Sequence, residues 1–393
     1  MISTSIRPAR RIVHLSWFPI LLILAAPATL GAQSSPTSRD WRTWPFSELS
    51  PWNHPIGSGA RYAGVSRLAS YRASINHDDR WTSSVVIATD QDPDVRMLFG
   101  PGWGPLSHWK FLDRGGKNCG NSRSTELTLL RSARPELPFE ANYYSTTHAR
   151  NDRLWQLPAN YHHASQDYFG TFHLPRGVCP SPDSDGFLAV FQPDGWVIDI
   201  YAAVVTSSGE VIGTMASYID ARGDGTGWWS GRRASMLPSF AGLIRNGEIA
   251  SGRIPHALAA LAPASLLKRQ AVWPAYAFDR DSGYSGTLPM GTLLAIPSNV
   301  DLNRIGLSPQ GKVIAKAAQG YGVYVVDRGG SGITFLAELG NTEIRWDGTR
   351  SSPPSWRDIE TIKNLLQRVT NNTPSTPGGG GVPRAPLAPP LTN

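Results

Sequence analysis

Charge is scarce in this sequence: of its 393 residues, 17% are Asp, Glu, Lys or Arg, and no basic run exceeds two residues. Phosphate backbones are gripped by concentrated Lys and Arg, so nucleic acid is excluded as a partner. Cysteine is scarcer still, with Cys119 and Cys179 alone. No paired CxxC, HExxH, GxSxG, P-loop or helix-opening GxGxxG occurs, which removes zinc proteases of that type, common serine hydrolases and nucleotide enzymes as first expectations. Long apolar runs are also missing. The longest, Leu15 to Ala28, is interrupted by Pro19 and Pro27 and is too short for a membrane span.

That run has another reading. Arg7, Arg10 and Arg11 precede it and small residues follow around Ala28 and Ala32, the layout of a secretory signal over residues 1–32. Setting it aside takes three of the 37 basic residues and none of the 30 acidic ones, leaving 34 against 30, or +4. The expected product is secreted, extracellular or periplasmic, with no membrane insertion after cleavage. In such a compartment Cys119 and Cys179 are expected to pair.

Fourteen Trp, 39 Gly and 32 Pro describe a turn-rich β-architecture, with aromatic rings suited to stacking on sugars. Residues 33–39 are polar and expected to be flexible. The segment WRTWPFSELSPWNHPI (Trp41 to Ile56) reads as a strap across the core, since its prolines forbid a long helix or central strand. The apolar runs Phe187 to Gln192 and Trp196 to Val205, joined by Pro193-Asp194-Gly195, predict a hairpin. Strands are also expected at Ser83 to Thr89, Glu126 to Leu130, Ala271 to Phe278, Leu293 to Ile296 and Gly322 to Asp327. Ser308, Pro309 and the spacing of Val313, Ile314, Ala317 and Ala318 predict a capped helix. A final helix is expected over Pro354 to Val369, one or two helical turns over Ser239 to Asn246, and a disordered Pro/Gly-rich tail over 371–393.

Chemistry concentrates in GDGTGWWSGRRASMLPSFAGLIRNGEIASGRIPHAL (Gly223 to Leu258). Glu248 and His256 are eight residues apart, with Gly247, Gly252 and Pro255 breaking the chain around them, so a turn can bring carboxylate and imidazole together for acid–base work. Asp199 lies between apolar residues of the predicted hairpin, on the face of Tyr201, and is the expected second carboxylate of a glycoside-cleaving pair. Tyr321 and Asp327 flank the predicted strand GVYVVD. Arg232, Arg233 and Arg245 are candidate substrate anchors, and Trp228 and Trp229 candidate sugar platforms. No cofactor or metal is expected: the adjacent His162 and His163 of the run Tyr161 to His173 point to opposite faces of a strand, and the acidic turns at Asp183 and Asp220 lack the twelve-residue calcium pattern.

The order SPWN (Ser50 to Asn53), AGLIRNGEIASGRIPHAL, VWPA (Val272 to Ala275), LPMGTLL (Leu288 to Leu294), LSPQGKVIAKAAQGYGVYVVDRGG (Leu307 to Gly330) and RWD (Arg345 to Asp347) resembles a widespread family of secreted bacterial proteins. The resemblance spans most of the mature chain. It implies an exported bacterial protein in the company of carbohydrate-active enzymes, and transfers no catalytic residue. Together these features predict a mainly β, sandwich-like domain of jelly-roll type over 40–370, single and with a few peripheral helices. The expected partner is a polysaccharide, cleaved by hydrolysis; the alternatives are β-elimination of a uronate polymer, with Tyr321 or His256 as base, and sugar binding without catalysis.

Overall fold

A strand needs a face to bury, and here several bury both. A computed structural model describes residues 37–77, 81–100, 108–133, 171–226, 232–278, 283–344 and 354–392. In chain order come β1 (Tyr62–Ala63), a 3-10 turn at Leu68–Ser70, β2 (Ala73–Asn76), β3 (Ser84–Ile87), β4 (Asp94–Phe99), and helices α1 (His108–Asp113) and α2 (Arg123–Ser132). Then follow β5 (Thr171–His173), β6 (Leu188–Phe191), β7 (Trp196–Tyr201), β8 (Val204–Val205), β9 (Val211–Gly213) and β10 (Met215–Asp220). The last part holds β11 (Leu258–Ala262), β12 (Leu267–Ala271), β13 (Leu288–Met290), β14 (Leu293–Ala295), α3 (Pro309–Gly320), β15 (Val323–Arg328), β16 (Ile333–Leu336), α4 (Trp356–Leu365) and β17 (Gln367–Val369).

The main sheet runs β1-β17-β14-β15-β11-β16-β2, and a second runs β10-β7-β6-β3. Along β11, Leu258, Ala260 and Ala262 face one core, shared with Ile314, Ala317, Ile359 and Ile362 of α3 and α4. Ala259 and Leu261 face another, where Tyr324 and Val326 of β15 meet Phe191 and Val197 of the second sheet and Trp41, Phe46 and Trp52 of the strap. Burial on both faces is why LALA-type runs replace polar alternation here. The architecture is mainly β with few helices, all within one compact unit, Pro36–Asn393. Its ladders are mixed: β11–β15, β16–β2 and β3–β6 are parallel, unlike the antiparallel pattern expected of a jelly roll.

The predicted hairpin forms, Leu188 opposite Ile200 and Phe191 opposite Val197. The α3 cap forms too, with the Ser308 hydroxyl accepting from the Gly311 N–H at 3.0 Å. Cys119 and Cys179 are joined, closing a loop of 60 residues worth about 4 kcal/mol in the chain-entropy account.

Other expectations are corrected. Glu126 to Leu130 lies in α2, because the Ser122 hydroxyl accepts from the Thr125 N–H and caps a helix that apolar spacing alone had suggested as a strand. Ser239 to Asn246 makes turns without a helix: Ile244 pairs with Ala337 in a bridge, which fixes it extended. The final helix ends at Leu365, and Gln367–Val369 joins the main sheet. The edge partner for Leu267–Ala271 is Leu288–Met290, so the expected strand at Ala271 to Phe278 begins and ends earlier.

The tail is a correction of a different kind. Rather than being disordered, residues 371–392 knit into the strap: Gly57 N–H donates to Gly378 O at 3.0 Å, Gly59 N–H to Gly380 O at 2.8 Å, and Arg384 N–H to Ile56 O at 2.9 Å. Glycine allows it, since a Cβ on Gly378, at φ +60, would lie 2.3 Å from Pro55 O. Nor is residue 39 flexible, for the buried Arg39 donates its N–H to Pro390 O and its Nε to Pro389 O at 2.7 Å.

Candidate functional site

Strand ends deliver the chemistry. Ile244 N–H donates to Leu336 O at 3.0 Å and Glu338 N–H to Ile244 O at 2.9 Å, so the stretch after Gly242 runs beside the exit of β16. Gly242 makes this approach possible: its φ is +68 and an added Cβ would lie 2.8 Å from Ala259 N. Beyond it the chain turns at Gly247 and Gly252, both at positive φ, and returns to β11 with Arg253 N–H donating to Glu248 O at 3.1 Å. Glu248 and His256 are thereby brought together at the ends of one turn.

His256 Nε2 lies 2.9 Å from Glu248 Oε1, and Nδ1 lies 2.9 Å from Ala257 O. A carbonyl only accepts, so Nδ1 carries hydrogen and a proton between Nε2 and Oε1 is shared by the pair. Burial pulls the imidazole pKa down, but the Glu248 carboxylate outweighs it and holds His256 above its ordinary 6.5. The other Glu248 oxygen, Oε2, accepts from the Arg245 N–H at 2.7 Å. Arg245 Nε in turn donates at 3.0 Å to Glu338 Oε2, which also accepts from Asn246 N–H. Glu343 holds the turn from below, accepting from the N–H groups of Gly247, Ile249 and Ala250.

These groups edge a cleft of about 480 Å³ lined by Trp44, Arg245, Glu248, Arg253 and Glu338, among others. Trp44 comes from the strap and is held by its Nε1–H on Asn53 Oδ1 at 2.8 Å. Two carboxyl groups therefore share one opening, with different partners. Glu338 accepts from a guanidinium and a backbone amide, whereas Glu248 is hydrogen-bonded to the His256 imidazole.

Asp199 is not the second carboxylate of this cleft. It is fully buried in β7, where Ser239 donates its N–H to Oδ2 at 2.8 Å and its hydroxyl to Oδ1. Burial raises its pKa, opposed by those hydrogen bonds and by Arg232 and Arg233. Arg233 is equally sealed, bonding Ala241 O and Ser239 O, and burial lowers it to about 10. Arg232 bonds Ser217, and Asp327 accepts the Ala234 N–H at 3.0 Å. Asp199 and Arg233 are buried, Arg232 and Asp327 half-buried, and none of the four lines the cleft.

Tyr321 is buried with its hydroxyl donating to Pro386 O of the tail at 2.8 Å, and burial raises its pKa, opposed by Arg253. It lies against a cleft residue but is closed to substrate as a base. Trp228 and Trp229 lie outside the described residues, as do Tyr161, His162 and His163. No family model, curated protein or solved structure matches this chain.

The sequence reading missed Glu338, Arg253 and Trp44. Glu338 carried one signal, a carboxylate directly after the apolar run Ile333 to Ala337. Trp44 and Arg253 reach the cleft only because the strap and the turn fold against each other.

Proposed function

We propose that this protein is a secreted carbohydrate-active enzyme that cleaves a polysaccharide by hydrolysis at the Glu248 cleft. The observation that carries the reading is the 2.9 Å contact of Glu248 Oε1 with His256 Nε2 at the wall of an open cleft that also contains Glu338. Glycoside cleavage needs one carboxyl able to give a proton and another held ionised. The Glu248–His256 pair, which holds one shared proton between Oε1 and Nε2, supplies the first, and Glu338, hydrogen-bonded by Arg245 and Asn246, supplies the second in place of Asp199. Secretion is supported by the disulfide and by the absence, among the described residues, of a helix able to cross a membrane. The cleft residues from Glu248 to His256 fall inside the motif run that resembles secreted bacterial proteins, and a sandwich-like packing of the main sheet on the β10-β7-β6-β3 sheet is supported by the core they share.

A second reading rests on one observation. Both oxygens of Glu248 are already engaged, by His256 and by Arg245, an arrangement that also suits a rigid, non-catalytic sugar-binding wall. The mature chain is tested against neutral and uronate-containing polysaccharides, reading reducing ends together with the ultraviolet absorbance of unsaturated uronates. Reducing ends alone support hydrolysis, both signals together indicate β-elimination, and binding without either supports the sugar-binding reading.

A further inference from the structure

The two arginines that line the cleft, Arg245 and Arg253, differ in their partners. Glu338 is answered by Arg245 at 3.0 Å and Glu248 by His256 at 2.9 Å, which leaves Arg253. Its guanidinium sits 5.7 Å from the Trp44 ring centroid and beside the Tyr321 hydroxyl, and it forms no ion pair among the described residues. Its Nη2 is buried and has no hydrogen-bond partner. A donor left without an acceptor costs about 1–3 kcal/mol, more when charged, and an anion that draws the guanidinium into the cleft it lines recovers that cost on binding. Arg253 is thus the one cation lining the cleft that has no carboxylate partner among the described residues.

We propose that Arg253 recognises an anionic group on the glycan, a uronate carboxylate or a sulfate ester, so that the substrate is an acidic polysaccharide. This rests on the reading of the cleft as a glycan site and adds the substrate class. Arginine suits the task because its planar fork meets a carboxylate or sulfate with paired hydrogen bonds. The Trp44 ring holds the guanidinium in place while leaving its charge uncompensated. Among the cleft's two arginines the division is plain: Arg245 is spent on Glu338, and Arg253 is available.

The test measures affinity of the full mature chain for polygalacturonate against the same polymer with its carboxyls reduced to alcohols, and for dextran sulfate against dextran. The wild type is expected to bind the charged member of at least one pair about tenfold more tightly or better, with the preference shrinking as salt is added. The pair that shows it names the anion. Arg253→Gln is expected to bring the preference to about twofold or less, and Arg253→Lys, which keeps the charge without the fork, to fall between. Equal wild-type affinity for charged and neutral members overturns this inference and leaves the glycan reading standing. A preference that survives in folded Arg253→Gln, checked by its melting transition, assigns the anion to another residue and also overturns it. Should Arg253→Gln fail to fold, Arg253→Lys decides, since an undiminished preference there contradicts the need for the fork. No affinity for any of the four polymers removes both readings.

Discussion

His256 has one nitrogen on Ala257 O and the other on Glu248, so its titration is a property of the pair. Because its folded pKa stands above 6.5, the protonated form stabilises the fold. That contribution is complete below 6.5 and is lost as pH rises through the raised folded value. Glu248→Gln removes the charge that raises it, and a charge-assisted hydrogen bond of this kind contributes about 1.5–3 kcal/mol. The gap in melting temperature between wild type and Glu248→Gln is therefore expected to be widest near about pH 6 and to narrow as pH rises. A gap constant from acid to alkaline pH contradicts the account. Glu248 and His256 were legible because glycines and a proline frame them within eight residues. Glu338 was not, since it meets Arg245 across 93 positions and no local pattern records that. Asp199 shows the reverse failure: alternation placed it correctly on the Val197 face, but could not show that Ser239 closes over it.

At the scale of elements, local signals succeeded where the chain satisfies its own peptide groups. Ser308 with Pro309 and the Pro193-Asp194-Gly195 turn specify α3 and the β6–β7 hairpin through caps and turn geometry that neighbours alone determine. They failed where a distant partner decides. The tail has the composition of a disordered segment, yet its N–H and C=O groups pair with residues 56–59 as if extending a sheet edge. Deleting residues 377–393 is expected to lower the melting temperature by several degrees and to remove the acceptor of the Tyr321 hydroxyl, Pro386 O. An unchanged melting transition contradicts the packing described. Gly242 gives a sharper test. A side chain there meets Trp52 at 2.5 Å and Ala259 N at 2.8 Å, in addition to the about 1–2 kcal/mol cost of left-handed backbone. Gly242→Ala is expected to destabilise by about 3 kcal/mol in urea unfolding, and a loss well under 1 kcal/mol contradicts the close approach.

At the scale of the whole molecule, the strap, the turn after Gly242 and the exit of β16 are separate in sequence and converge on one opening. That convergence supplies Trp44, Glu248, Arg253 and Glu338 from three stretches. The small net charge does not by itself call for an acidic ligand, whereas the cleft presents Arg253 without a carboxylate partner among the described residues. The buried Asp199 and Arg233 bond Ser239 and Ala241, the residues that lead into the turn after Gly242. The measurement that tests the central claim most directly is the rate of reducing-end release by the mature wild-type chain and by folded Glu248→Gln on the polymer the wild type binds best. The account predicts release by the wild type and a loss of about a hundredfold or more in the variant. Equal rates in the two proteins would contradict it.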